Sequence, residues 1–282
     1  GDVRNLTRSA DAADRAPVWS PDGAQVAWFS DDGAGYRLRI APQDALGDAR
    51  TISIGDSKYA WNSTWSPDGS KIAFVDDRAR IRIVDVASGD VSTADVDGNT
   101  NARGGMGLVW SGDSKWLAYS KSFPNNLRRI VVWNADTRQS RAITDALADA
   151  RTPAFDRDGR HLYVLASTDL ALASGWANTS AMQAQPTYAP YVMVLRNDDP
   201  TPFSLRSDEE PAGATPPRPD TTSTPVRIDF DGIENRIISL PMPVRSYGTV
   251  IAGPRGSVFI GESVPNTPGL VLHKFTLNER AF

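Results

Sequence analysis

Cysteine is absent from the 282 residues, and histidine nearly so, with only His161 and His273. Without cysteine there is no thiol nucleophile, no cysteine-ligated zinc and no disulfide framework; the compartment stays open, because exported proteins can also do without cysteine. Each histidine sits in an apolar strand pattern, where a structural role is expected, since a histidine by itself makes neither a metal site nor a triad. No apolar run approaches the roughly 18 residues of a membrane helix, so no membrane partner is expected. An excess of one charge is lacking too: 30 basic residues stand interspersed with 34 acidic ones, for a net charge of −4. That leaves no basic field for nucleic acid, and no nucleic-acid partner is expected. Also missing are the Gly-x-Ser-x-Gly elbow, the Gly-x-x-x-x-Gly-Lys phosphate loop, the His-Glu-x-x-His helix and a regular calcium loop. The expectation is therefore no cofactor, no metal and no catalytic residue within this chain.

What is present is a rhythm. Val18-Trp19-Ser20-Pro21-Asp22-Gly23 recurs as Thr64-Trp65-Ser66-Pro67-Asp68-Gly69, as Val109-Trp110-Ser111-Gly112-Asp113-Ser114 and as Ala154-Phe155-Asp156-Arg157-Asp158-Gly159. The aromatic positions 19, 65, 110 and 155 are 46, 45 and 45 residues apart, the period of a four-stranded propeller blade. Within each phrase proline presets φ at the second position of a type I turn, Asp tolerates the third and Gly closes the fourth. Alternating apolar strands flank the turn, as in Gln25–Phe29, Lys71–Val75, Lys115–Tyr119 and Arg160–Val164. A third strand sets arginines against aliphatics, as in Tyr36–Ile40, Arg80–Val84 and Arg128–Trp133, and a fourth follows at Asp48–Ile54 and Gln139–Thr144.

The fold class is therefore all-β, a β-propeller of four-stranded blades spanning 1–282, with repeats near 1–55, 56–98, 99–146, 147–225 and 226–282. The fourth repeat is interrupted twice, by Thr168–Thr187 and by the acidic, proline-rich Asn197–Pro225, which reads as a solvated loop. Val226–Phe230, Arg236–Pro241, Tyr247–Ala252, Ser257–Ile260 and Leu270–Phe275 supply a degenerate fifth repeat. Val3–Thr7 has the character of an outer strand without its blade, whereas the fifth repeat stops before its outer strand. Either the two ends complete each other in a closed ring of about five blades, or the about five blades form an incomplete part of a larger propeller; the expectation is the second.

Two features imitate a hydrolase. Gly55-Asp56-Ser57 and Gly112-Asp113-Ser114 resemble a lipase nucleophile block, and Asp158-Gly159-Arg160-His161 resembles its Asp-x-x-His. Because Asp113-Ser114 and Asp158-Gly159 fall where Asp22-Gly23 does in the repeat, turn formation accounts for them. The acidic pairs Asp31-Asp32 and Asp76-Asp77 read as solvated turns. One binding constellation stands out: Arg15 and Arg151 lie four residues before Trp19 and Phe155, and Arg103 slightly earlier before Trp110. Equivalent points of a radial repeat converge on one mouth of the central channel, so these guanidiniums form a candidate substrate-binding ring for carboxylates. The plainer alternative is ion pairing with Asp14 or Asp149.

The residues also carry a family resemblance. Asn5-Leu6-Thr7, Ala16–Gly23, Ile72-Ala73-Phe74, the run Asp149–Gly159 followed by Leu162–Asp169, Val194–Pro200 and Ile228–Ile233 together resemble part of the second propeller of the tricorn-type serine peptidases. The resemblance implies a large cytoplasmic, homo-oligomeric parent acting on oligopeptides, with two propellers ahead of a PDZ-like module and a serine- and histidine-bearing catalytic domain. It implies a channel or filter role for this propeller, in contact with the parent's other domains. The family's nucleophile, base and oxyanion residues belong to domains outside this sequence, so the chain alone is expected to be inactive. The Ser-Pro-Asp-Gly blade by itself fits two alternatives: a stand-alone TolB-like interaction propeller, or the lid propeller of a prolyl-oligopeptidase-like enzyme.

Overall fold

A computed structural model describes residues 5–7, 9, 11–33, 35–44, 46–99, 104–169, 186–203 and 225–280. The chain divides into two compact units, residues 1–142 and 143–282.

The first unit holds three antiparallel four-stranded sheets, each a meander in which sequence neighbours pair. The first is β1 (Asp14–Trp19), β2 (Gln25–Ser30), β3 (Arg37–Pro42) and β4 (Arg50–Ser53); the second is β5 (Ala60–Trp65), β6 (Lys71–Asp76), β7 (Arg80–Asp85) and β8 (Val91–Val96). The third is β9 (Val109–Trp110), β10 (Trp116–Ser122), β11 (Arg128–Asn134) and β12 (Ser140–Ala142). Ile72 and Phe74 pack toward the first sheet, where the Phe29 and Phe74 rings lie 5.0 Å apart, whereas Ala73 and Val75 pack with Leu117, Tyr119 and Trp133 of the third. Both faces of the middle sheet are thus buried, which is why its second strand reads as an unbroken apolar run. Each of Ile72, Phe74 and Val75, fully buried, contributes about 1.5–3 kcal/mol.

The second unit holds β13 (Asp149–Phe155), β14 (His161–Ser167), β15 (Ala189–Val194) and β16 (Ile237–Ser239) in one sheet. A second sheet is formed by β17 (Tyr247–Ala252), β18 (Ser257–Glu262) and β19 (Val271–Thr276), three strands among the described residues. Tyr163, Leu165 and Val192 of the first pack with Val258, Ile260 and Phe275 of the second.

Three strand expectations change. Ile237–Ser239 pairs with β15, Met193 opposite Ile237 and Tyr191 opposite Ser239, and so completes the fourth sheet rather than opening a fifth. The Arg236 guanidinium anchors it there by donating to the carbonyls of Val194 and Asp229. Val226–Phe230 is not a strand. Nor is Asn5–Thr7, although Leu6 packs onto Val26, Trp28 and Ala41; Val3 and Arg4 lie outside the described residues, as do 170–185 and 204–224 of the two interruptions.

Candidate functional site

The repeated phrase makes a single backbone turn with more hydrogen bonding than its spelling shows. Gly23 and Gly69 donate to the carbonyls of Ser20 and Ser66 at 2.9 and 2.8 Å, and both take positive φ, 71° and 72°. The Ser20 and Ser66 hydroxyls each donate to the turn aspartate, Asp22 or Asp68, at 2.6 Å and accept from the first N–H of the next strand at 2.9 Å. Ser114, at the glycine position of the third turn, holds φ 63°, and its hydroxyl accepts the N–H of Asp68 at 3.0 Å. The Ser57 hydroxyl donates to buried Asp76 at 2.8 Å. Both serines of the lipase-like blocks are thus engaged in structure.

Asp76 corrects the expectation of a solvated acidic pair. It is fully buried, where it takes Arg80 Nε at 2.6 Å and the N–H groups of Arg78 and Arg80 at 3.0 Å. Burial acts to raise its pKa, but the Arg80 and Ser57 hydrogen bonds and the two backbone donors hold it below the usual carboxylate value. Asp31, Asp32 and Asp77 stay at the surface or near it; Asp31 and Asp77 cap the N–H groups of Ala13 and Lys58 at 2.7 Å, and Asp32 pairs with Arg39.

The fourth turn places three potential ligand atoms, from Asp156, Asp158 and His161, within 4.8 Å of one another. Hydrogen bonds already use them. Asp156 accepts Tyr163 O–H at 2.6 Å, Gly256 N–H at 2.9 Å and Asp158 N–H at 2.9 Å, while Asp158 Oδ2 meets His161 Nδ1 at 2.6 Å. Burial and the neighbouring Asp158 push Asp156 above its ordinary value; Asp158, despite its own burial, is held low by His161 and the turn N–H groups. His273 is also carboxylate-paired, its Nε2 lying 2.7 Å from Glu262, which Arg245 approaches at 3.1 Å. Against the cost of burial these two contacts keep Glu262 low. Neither histidine is the simple apolar-strand residue that its sequence context indicates.

The channel arginines sit at a feature that the sequence pattern does not display. Three residues before the phrase's aromatic, Ala16, Asn62, Gly107 and Thr152 all take left-handed φ of 50°, 53°, 60° and 51°, and the strand register slips there in β1, β5 and β13. Gly107 and Asn62, two residue types that tolerate this conformation, are the available signal. A bulge re-aims the preceding side chain, and those side chains are Arg15, Trp61, Met106 and Arg151. Arg15 is exposed, 5.9 Å from the Tyr59 ring, with Tyr36, Tyr59 and Trp61 in ring contact at 5.1 and 5.7 Å. Arg151 pairs with Asp149 at 3.3 Å and lies 4.0 Å over Tyr188, whose hydroxyl also donates to Asp149. The ion pair offered as the alternative is thus present at Arg151; at Arg15 an aromatic cluster takes its place. Met106 is buried, and Arg103 lies outside the described residues.

Consecutive four-stranded meanders with bulged first strands define a β-propeller blade architecture. A family model, the tricorn protease second beta propeller domain, matches residues 1–273, and the chain belongs to that family. It is 29% identical over 280 residues to tricorn protease homolog 1 of Streptomyces coelicolor, covering 92% of this chain and 25% of that protein. The chain thus spans about a quarter of that relative's length. The crystal structure of the tricorn protease matches with a TM-score of 0.68 at 18% identity, over 92% of this chain and 25% of that one. A TolB structure from Agrobacterium tumefaciens matches at 0.55 and 14% identity, over 95% of this chain and 79% of that one; both likenesses are of fold. Among the described residues no helix is long and apolar enough to cross a membrane.

Proposed function

We propose that this propeller serves a tricorn-like serine peptidase by admitting and holding oligopeptides, while other domains of the parent break the bond. The parent on this reading is a cytoplasmic homo-oligomer, and Arg15 and Arg151 are the residues that meet peptide carboxylates. The observation that carries the reading is the family match across almost the whole chain, joined to the bulges that set both arginines at equivalent places. Arg15 supports it more strongly than Arg151, because an exposed guanidinium beside Tyr59 offers both a bidentate donor and an aromatic surface to a peptide end.

The test is calorimetric titration of the chain with an oligopeptide ending in a free carboxylate and with its amidated form. The acid should bind in a salt-dependent way and more tightly than the amide, and the Arg15→Ala, Arg151→Ala double variant should lose about tenfold, as expected for a charged hydrogen bond. Equal binding by the wild type and the double variant would remove both arginines from the site.

A further inference from the structure

Gly55-Asp56-Ser57, one of the two blocks that imitate a nucleophile, lies against three arginines of the β6–β7 turn and β7. Asp56 accepts hydrogen bonds from the guanidiniums of Arg78 and Arg80, the latter at 2.8 Å, and its Oδ1 also stands 3.7 Å from Arg82 Nη1. The Asp56 side chain is 53% exposed, so the place that its carboxylate occupies is open to solvent.

Arg82 is the unusual member. It is 8% exposed, yet among the described residues no hydrogen bond reaches its guanidinium: Nε is buried and unpartnered, and Nη1 has only Asp56 at 3.7 Å and Asp76 at 3.9 Å, both beyond hydrogen-bond reach. A guanidinium carries five N–H donors, and leaving them unmet under burial is costly. Its counterpart in the first sheet, Arg39, lies opposite Trp28 as Arg82 lies opposite Phe74, and it donates to Asp32 at 2.7 Å. Burial first, and then the neighbouring Arg80, press the Arg82 pKa down, and the two carboxylates do not make good the difference. The unpaired end can be reached. A side-chain carbon placed on Gly55 would meet Arg82 Nη2 at 3.9 Å and, chain neighbours aside, no other atom within 4 Å. Nη2 thus faces a gap beside Asp56.

Charge decides what fits there. Three guanidiniums face the carboxylates of Asp56 and buried Asp76, an excess of one positive charge that becomes two when Asp56 swings out. A monocarboxylate ligand would only repeat Asp56, which the chain already holds in place without the entropic cost of association. A dicarboxylate spreads its charge over two centres, whereas these guanidiniums converge on one carboxylate. A phosphate dianion puts both charges on one centre, with enough oxygens for all three arginines. We propose that Asp56 is the resident occupant of an oxyanion site formed by Arg78, Arg80 and Arg82, and that a phosphate dianion, free or as a phosphomonoester, displaces it. The site uses neither Arg15 nor Arg151, so it stands or falls apart from the peptide-admission reading.

The test is a 1H–15N NMR titration of the chain at constant ionic strength and about pH 7.5, where phosphomonoesters are dianions. The probes are inorganic phosphate, glycerol 3-phosphate and acetate, followed at the Gly55 and Ser57 amides. Inorganic phosphate should shift both amides with a dissociation constant on the order of 1 mM, in keeping with so small a ligand, and acetate should leave them in place. Asp56→Asn removes the competing charge at an exposed position and should tighten phosphate about tenfold, whereas Arg82→Gln and Arg78→Ala should each weaken it about tenfold. Arg78 is itself exposed, so its variant keeps the test decisive should Arg82→Gln fail to fold. Tighter binding of glycerol 3-phosphate would assign the site to a phosphorylated organic ligand, and equal or weaker binding to the free ion. Amides unmoved at about 20 mM phosphate, some twenty times that constant, would overturn the proposal. So would acetate binding as tightly as phosphate, or an Asp56→Asn affinity no higher than that of the wild type.

Discussion

The second and fourth sheets begin with the same backbone turn held by different chemistry. In Ser66-Pro67-Asp68-Gly69 a fully buried hydroxyl is the hub, donating to Asp68 and accepting from Lys71 N–H. In Asp156-Arg157-Asp158-Gly159 the hub is a carboxylate 2% exposed, and it cannot donate to Asp158 as a hydroxyl does. Asp158 turns instead to His161, and Asp156 reaches outward to Tyr163 and to Gly256 of the neighbouring sheet. The difference teaches that the turn's shape comes from the backbone and its left-handed fourth residue, while the first residue decides whether the turn is tied to its neighbours and whether it feels pH.

The widest break in that comparison should come from truncating each hub. Asp156→Ala leaves Tyr163 O–H and two N–H groups without their acceptor, and a loss of about 3–4 kcal/mol is expected. Ser66→Ala leaves one N–H and one carboxylate short, and should cost about 1–2 kcal/mol. Urea denaturation of the two variants measures the gap; equal losses would mean that Asp156 is no more than a serine substitute.

The second test separates charge from shape. Asp156 titrates above its ordinary 3.8 in the folded chain, so its contribution to stability is fully present below pH 3.8 and is lost as pH rises through the folded value. Asp158, held low, runs the other way: its contribution is present above pH 3.8 and is lost as pH falls. Asp156→Asn keeps the acceptor for Gly256 and Asp158 N–H, and its amide can donate to the Tyr163 oxygen. The variant should therefore gain on the wild type as pH rises from about 4 towards neutrality. Parallel stability profiles over that range would show that Asp156 carries no like-charge penalty.

Much of this is legible in the sequence, for identifiable reasons. Proline and glycine write turn geometry directly, so four sheets can be placed from Trp19, Trp65, Trp110 and Phe155. The fifth turn, Gly253-Pro254-Arg255-Gly256, keeps its proline and glycine but has lost the aromatic, and its period cannot be followed. Ile237–Ser239 reads locally as part of the fifth repeat because strand pairing across an interruption is set by non-local hydrogen bonds, here to β15, and no local residue records them. Asp76 misleads for a related reason. An acidic pair after a strand is usually solvated; Asp76 is instead held by Arg80 four residues on in the same turn and by Ser57, which arrives from a separate segment before β5. The bulges at Ala16 and Thr152 are invisible because neither residue type announces a positive φ; only alignment with Asn62 and Gly107 exposes the pattern.

The smallest effect sharpens the comparison at the third turn, where a residue with a side chain occupies the glycine position. Ser114 holds φ 63°, which a side chain disfavours by about 1 kcal/mol, but its hydroxyl accepts the N–H of Asp68 in the neighbouring turn. Ser114→Gly gives up that acceptor and relieves the backbone, so the two terms should cancel to within about 0.5 kcal/mol. Ser114→Ala gives up the acceptor and keeps the strain, and should fall about 1 kcal/mol below the glycine variant by urea denaturation. If alanine proved as stable as glycine, the left-handed fourth residue would not be what shapes these turns. The hub residue would then set the shape as well as the ties, and the second and fourth sheets would differ in backbone energetics, not only in polar chemistry.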